Sequence, residues 1–295
     1  MRVFVTGATG FIGSEVVREL IEAGHQVLGL TRSDAGAEAL VKAGAEPHRG
    51  DIYALDSIRS GAAQADAVIH LAFNHDFSKF QENCETDRRV IEALGEVLEG
   101  SDRPLIVTSG TAMAISAPGV PGTENDPILS SKVMARALSE ETAASFAERG
   151  VRIIIVRLPQ VHNTERQGLV TYAIQIAREK GVSAYVGDGC NRWPAAHRLD
   201  VARLYRLALG KGTAAIYHAV AEEGVSAKEI FEAVGKSLNV PVVSLTPEEA
   251  QGHFGWLAMF VGRDIPASSA ITRKALGWEP TGPGMIEDLR NMRYA

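Results

Sequence analysis

The sequence predicts an α/β protein, a doubly wound parallel sheet with a smaller C-terminal lobe. Three observations predict it. An apolar β-type run, Val3–Thr6, enters a turn with glycines at positions 7, 10 and 13, and an amphipathic helix bearing Phe11, Ile12, Val16, Val17, Leu20 and Ile21 leaves it. Strand-like and helix-like stretches then alternate through the first half of the 295 residues, as βαβ units require. Past Pro159 the rhythm changes, and prolines at 241, 247, 266, 280 and 283 divide the tail into short pieces.

Each glycine of the opening turn has a physical task. Gly7 lets the chain turn off the strand, Gly10 lets backbone approach a pyrophosphate, and Gly13 lets the helix pack on the sheet. The helix N-terminus then offers N–H groups and partial positive charge to phosphates. Strand, turn and helix together read as a Rossmann dinucleotide site, with Thr6, Gly7, Thr9, Gly10, Phe11, Ile12 and Gly13 as candidate cofactor contacts.

The following elements keep the pattern. Gln26–Thr31 reads as the second strand, Ala37–Ala43 as a helix closed by Gly44, and Ala45–His48 as a short strand leading to Gly50-Asp51-Ile52. Ala67–Leu71 and Pro104–Thr108 read as buried strands. Between them Glu82–Leu98 carries a helical apolar stripe. A Gly- and Pro-rich loop, 117–127, precedes a helix around Ser131–Arg149, and Val151–Leu158 is the strongest β-branched run. Helix Leu169–Lys180, strand Ala184–Val186, helix Leu199–Leu209 and strand Ile216–Ala219 come next. The expected division is a dinucleotide-binding domain at 1–165, partly rejoined by 199–240, and a substrate lobe from 166–198 and 241–295.

Composition narrows the partners. A net charge of −6 without a basic run gives nucleic acid or an anionic membrane no electrostatic support. Cys84 and Cys190 lie far apart without metal-type spacing and read as free thiols; no metal site is expected. No apolar run approaches membrane-spanning length, and residue 1 leads directly into the first strand, so the expected location is cytoplasmic.

With these residues in view, nearly the whole chain resembles the extended and atypical short-chain dehydrogenase/reductases, of the NAD-dependent epimerase/dehydratase kind. Thr6-Gly7-Ala8-Thr9-Gly10-Phe11-Ile12-Gly13 resembles that superfamily's dinucleotide turn. Gly50-Asp51-Ile52 is similar to its adenine-side motif, His70-Leu71-Ala72-Phe73 to the segment beside the adenine ribose, and Val156–Val161 to the strand end flanking nicotinamide. Gly187-Asp188-Gly189, His197, Asp200-Val201-Ala202 and Lys274–Pro280 resemble the later signatures. The resemblance thus implies cofactor contacts from Asp51, Ile52, Leu71, Ala72, Phe73, Thr108, Pro159 and Val161. It also implies a homodimer through helices matching Glu82–Leu98 and Ser131–Arg149.

The second strand ends in Thr31-Arg32-Ser33, where NAD-specific sites place an acid. A planar guanidinium suits a 2′-phosphate, so NADP(H) is favoured over NAD(H), although Asp34 is near enough in sequence to serve a ribose.

The family's chemistry uses Tyr-x-x-x-Lys with a Ser or Thr from the preceding strand end. Here Ser131-Lys132 matches the family's Ser-Lys, which assigns Lys132 to the nicotinamide ribose, but Ile128 stands where the tyrosine belongs. Ser109 and Thr111 flank a glycine at the hydroxyl position, and His162, at the pocket edge, is a substitute proton donor; Tyr172, Tyr185, His75 and His197 are weaker ones. Phe73, Phe77, Trp193, Phe254 and Trp256 are candidate walls of a substrate pocket. The expected function is an NADP(H)-dependent reductase of a small apolar ketone or imine. The alternatives are a non-catalytic NAD(P)-binding regulator and a nucleotide-sugar epimerase or dehydratase.

Overall fold

The computed structural model describes residues 1–213 and 215–293; Ala214 and the last two residues of the expected lobe lie outside them. The first half alternates β1 (Arg2–Thr6), α1 (Gly13–Glu22), β2 (Gln26–Thr31), α2 (Asp34–Lys42), β3 (Glu46–Arg49), α3 (Leu55–Ala63), β4 (Ala67–His70), α4 (Phe80–Leu98), β5 (Leu105–Gly110), α5 (Leu138–Glu148) and β6 (Ile153–Leu158). The second half runs β7 (Gln160–His162), α6 (Val170–Lys180), β8 (Ser183–Val186), β9 (Arg192–His197), α7 (Arg198–Lys211), β10 (Ile216–His218), β11 (Glu222–Ser226) and α8 (Ala227–Leu238). It ends with β12 (Val242–Leu245), α9 (Pro247–Phe254), α10 (Ala258–Val261), α11 (Ala270–Leu276) and α12 (Met285–Arg290).

Seven strands form one parallel sheet in the order β10-β6-β5-β4-β1-β2-β3. Sheets covered on both faces need strands that are apolar throughout, and Val3–Val5, Ala67–Ile69, Leu105–Val107 and Ile153–Val156 are buried along their lengths. One face packs on the helix stripe Val16, Val17 and Leu20, the other on Val90, Ile91 and Leu94. The sequence expectation of a doubly wound α/β fold is met.

The lobe has a separate core around Trp193, Phe231, Phe254 and Leu257, beside sheets β11-β9-β7 and β12-β8. The segment expected to rejoin the large sheet divides: β10 completes that sheet, whereas β11 pairs with β9 and α8 packs in the lobe core. Capping boxes, Ser226 with Glu229 and Thr246 with Glu249, start α8 and α9. The family-like tail is anchored on α7: Asp200 accepts from the N–H groups of Thr281 and Gly282, and the Trp278 indole donates to the Asp200 carbonyl.

A buried ion pair clamps α5 to β6. The Arg157 guanidinium donates to both Glu140 carboxylate oxygens at 2.9 to 3.2 Å, with both side chains almost wholly enclosed. Removing one partner strands the other charge away from water. Arg157→Leu is expected to lower unfolding free energy by about 3–5 kcal/mol. Arg157→Leu with Glu140→Leu should recover most of that loss. Urea unfolding of the wild type and both variants checks this.

Candidate active site

The strand order reverses between β1 and β4, and open α/β sheets bind ligands outside the carboxyl ends of strands at such a point. A cleft of about 860 Å³ lies there. Along it the sheet order sets an axis, from β2 and β3 at one end, across the glycine turn, to β5 and β6 at the other.

The turn fits a dinucleotide on two observations. A Cβ on Gly13 would lie 1.9 Å from the Gly7 carbonyl oxygen, and one on Gly7 (φ +68°) 2.8 Å from the Ala72 nitrogen, so neither position accepts a side chain. No side chain caps α1. The N–H groups of Ser14, Glu15 and Val16 bond to the Gly10 and Ile12 carbonyls, whereas those of Phe11, Ile12 and Gly13 have no partner among the described residues and can meet an anion. Gly7, Thr9, Gly10, Phe11, Ile12 and Gly13 line the cleft as expected. Thr31, Arg32, Asp51 and Ile52 line its β2 end, with Arg32 3.7 Å from the Asp51 carboxylate. Leu71, Ala72, Phe73 and Phe77 lie further along, with Thr108, Ser109, Pro159 and Val161 at the β5–β6 end.

Behind this wall lies an interior polar network. Thr6 Oγ1 meets His70 Nδ1 at 2.7 Å, and His70 Nε2 meets Asp87 Oδ1 at 3.0 Å. Asp87 Oδ2 accepts from Arg136 at 2.9 Å and from the Ser139 hydroxyl. Arg136 also donates to the Thr108 carbonyl at 2.9 Å and spreads over the Phe73 ring, 4.4 Å from its centroid. Burial would push the Asp87 carboxyl up, but the charge of Arg136 and the bonds from His70 and Ser139 outweigh it and hold the group below the usual carboxylate range. His75, also in the cleft wall though exposed at its surface, is pushed below the ordinary histidine value by partial loss of water and then by Arg136.

Several expected site residues stand elsewhere. Lys132 lies exposed in the 130–134 turn, outside the cleft wall. The backbone N–H of Ser131 donates to the Glu141 carboxylate, folding that turn over the start of α5 instead of extending the helix. The cation of this segment that reaches the cleft is Arg136, four residues on, and four residues before it stands Lys132 in place of a tyrosine. His162 is enclosed on the lobe side, its Nδ1 2.6 Å from Asp288, so it offers no proton at the cleft. Thr111 turns its hydroxyl to the Leu158 carbonyl and lines a separate small pocket. Thr6 sits behind the turn, accepting from the Leu71 and Ala72 N–H groups, and Ser33 caps α2.

The aromatic wall is also redistributed. Trp193 is buried in β9 with its indole donating to the Arg263 carbonyl, and Phe254 packs on Phe231; both belong to the lobe core. Trp256 is half-exposed and stacks on Phe77 at 4.4 Å, forming a rim above the cleft instead of its lining. Tyr172 and Phe260 line the cleft there, and burial raises the Tyr172 phenol above its ordinary value. Of the two hydroxyls expected at the reacting group, Ser109 belongs to the cleft wall: the residue is buried, and its Oγ is enclosed without a hydrogen-bond partner.

Sequence reasoning missed Arg136 and the Asp87 node. The signal was present as the four-residue spacing from Lys132 to Arg136, but anchoring on Ser131-Lys132 placed it one helical turn early.

Residues 3–221 match the profile of the NAD dependent epimerase/dehydratase family. An uncharacterized protein of Schizosaccharomyces pombe is 52% identical over the whole of both chains. UDP-glucose 4-epimerase of Streptomyces lividans is 28% identical, covering 94% of this chain and 91% of the relative. The crystal structure of the Thermus thermophilus UDP-glucose 4-epimerase with NAD superposes with a TM-score of 0.77 at 22% identity, over 99% of this chain and 97% of that one, which shows a shared fold. The chain belongs to the NAD dependent epimerase/dehydratase family, whose members include short-chain-type epimerases, dehydratases and oxidoreductases that use a nicotinamide cofactor. No helix among the described residues is long and apolar enough to cross a membrane.

Exchanging the cleft cation separates the two assignments. Arg136→Lys keeps a charge on Asp87 but loses the guanidinium fork, and is expected to weaken NADPH binding by about 10-fold. Lys132→Ala should leave the affinity within about twofold. Calorimetric titration of both variants with NADPH, alongside melting curves, reads the difference.

Proposed function

We propose that the protein is an NADP(H)-dependent reductase of a small carbonyl or imine compound with an apolar body. One observation carries the reading: a buried, unpartnered Ser109 hydroxyl shares a wall with Phe73, Phe77, Tyr172 and Phe260, while no tyrosine stands four residues before Arg136. A bound reduced nicotinamide would supply hydride to the carbon; a carbonyl oxygen must also gain one proton, whereas an iminium nitrogen gains none. Ser109 donates to a carbonyl oxygen, or accepts from an iminium N–H, and so orients the reacting group. The Arg136 guanidinium, fixed by Asp87, holds the cofactor's ribose end of the site. Phe77 and Trp256 exclude water from the rim. An iminium already carries its proton, so this set of residues serves it without a tyrosine. A ketone needs a donor, and Tyr172 is a phenol in the wall.

The cofactor preference rests on Arg32, whose side chain is 74% exposed at the end of β2, open to a 2′-phosphate. The similarity to UDP-glucose 4-epimerase favours a second reading, nucleotide-sugar epimerisation. The missing tyrosine opposes it, because that chemistry begins by oxidising a hydroxyl.

The test follows loss of NADPH absorbance over a panel of ketones and cyclic imines, with UDP-glucose epimerisation assayed in parallel. Turnover is expected with NADPH, faster on imines and activated ketones. Arg32→Ala should cut the NADPH-over-NADH preference by about 10-fold. Tight NADPH binding without turnover of any compound would leave a dinucleotide-binding regulator, and interconversion of the sugar nucleotides would establish the epimerase.

A further inference from the structure

The charges lining the cleft do not balance. Its walls carry three arginines, Arg32, Arg136 and Arg166, and a single carboxylate, Asp51. Asp51 lies beside Arg32 at the β2 end. Arg136 is neutralised from behind by Asp87. Arg166 is left over: its backbone N–H is bonded to Asn163, but its guanidinium has no ion pair or hydrogen bond among the described residues. The neighbouring Glu165 is not part of the wall.

Arg166 also stands at a particular place. It follows β7 and precedes α6, so it belongs to the β6 end of the cleft, the end opposite the adenine-side residues and the same end as Ser109. Its charge bears on both walls. After burial and Arg136, it further lowers His75 on the sheet side, and it counteracts the burial that raises Tyr172 on the lobe side. A guanidinium facing a partly apolar cleft, with Phe77, Tyr172 and Phe260 around it and no counter-ion, is a ready binding group for an oxyanion.

We propose that Arg166 binds an oxyanion carried by the substrate, so that the compound reduced is an oxo or imino acid whose carbonyl or imine meets Ser109 while its acidic group pairs with Arg166. The inference rests on the reductase reading and deepens it, from a small apolar compound to one with an apolar body and a single acidic end. A carboxylate and a phosphate share the recognising chemistry, and the experiment separates them.

The holoenzyme is assayed with NADPH on matched pairs: benzoylformate and its methyl ester, and benzoylacetate and its methyl ester. The acid is expected to have the higher kcat/KM in each productive pair. Arg166→Gln should reduce that acid-over-ester preference by about 10–100-fold, the worth of a charge-assisted hydrogen bond, and Arg166→Lys should restore part of it. An ester reduced as well as its acid, or a preference untouched by Arg166→Gln, overturns the proposal. The side chain is exposed and unpartnered, so the variant is expected to keep the wild-type melting temperature.

A binding arm distinguishes failure of this inference from failure of the reductase reading. Trp256 at the cleft rim is the half-exposed tryptophan, whereas Trp193 and Trp278 are buried, so its emission reports occupancy. The NADP⁺ complex is titrated with phenylacetate, phenyl phosphate and methyl phenylacetate. Saturable quenching by either anion, absent with the ester and lost in Arg166→Gln, supports the site even if no carbonyl compound is turned over. The anion that binds more tightly identifies the oxyanion. Quenching that ignores charge, or survives the substitution, overturns it.

Discussion

The cleft depends on a carboxylate that has no access to water. Asp87 sits on α4 within the protein and would be severely destabilising if it were alone there. It is tolerable because three elements converge on it: His70 from the end of β4, Arg136 from the approach to α5, and Ser139 from α5 itself. His70 continues to Thr6, whose hydroxyl receives the N–H groups of Leu71 and Ala72 behind the glycine turn. Arg136 continues to the Thr108 carbonyl, next to Ser109. The glycine turn and the Ser109 end of the site are thereby held by one interior ionic node. Interlocked polar groups of this kind are stiff because moving any member leaves the others unsatisfied.

The fold was largely legible because the large sheet is buried on both faces. Burial there demands continuous apolar runs, and Val3–Val5, Ala67–Ile69 and Ile153–Val156 announce themselves by composition alone. The lobe was less legible for the opposite reason. Its β9 contains Pro194, which argues against a strand in sequence, and β11 reads Glu-Glu-Gly-Val-Ser with little apolar character. Those strands exist because tertiary partners hold them, such as the Arg263 carbonyl that receives the Trp193 indole.

The site divides in the same way. Gly7, Gly10 and Gly13 were readable because the turn's backbone geometry favours glycine, most tightly at Gly7 and Gly13, a constraint that survives in sequence. Lys132 was misplaced because a Ser-Lys pair carries no information about where its helix begins; the turn bonded to Glu141 decides that. His162, Trp193 and Phe254 have the right chemistry for a pocket, and residue type alone does not separate a pocket wall from a neighbouring core. Phe77 and Trp256 illustrate the remaining difficulty. They are far apart in sequence, yet stack at 4.4 Å to join the sheet-side loop to the lobe.

The arrangement of β10 bears on how the chain assembles. The outermost strand of the large sheet comes from residues 216–218, after much of the lobe has been traversed. Its His218 N–H is received by the Thr272 hydroxyl, and Thr272 in turn meets Glu124 in the loop before α5. The half that forms first on the ribosome therefore lacks its edge until about three-quarters of the sequence has emerged, and the partner of the buried Glu124 until the last tenth. Non-local pairings of this length slow folding and leave an unpaired strand edge open to association during synthesis. Late truncation accordingly strikes the early-synthesised sheet and not merely the tail.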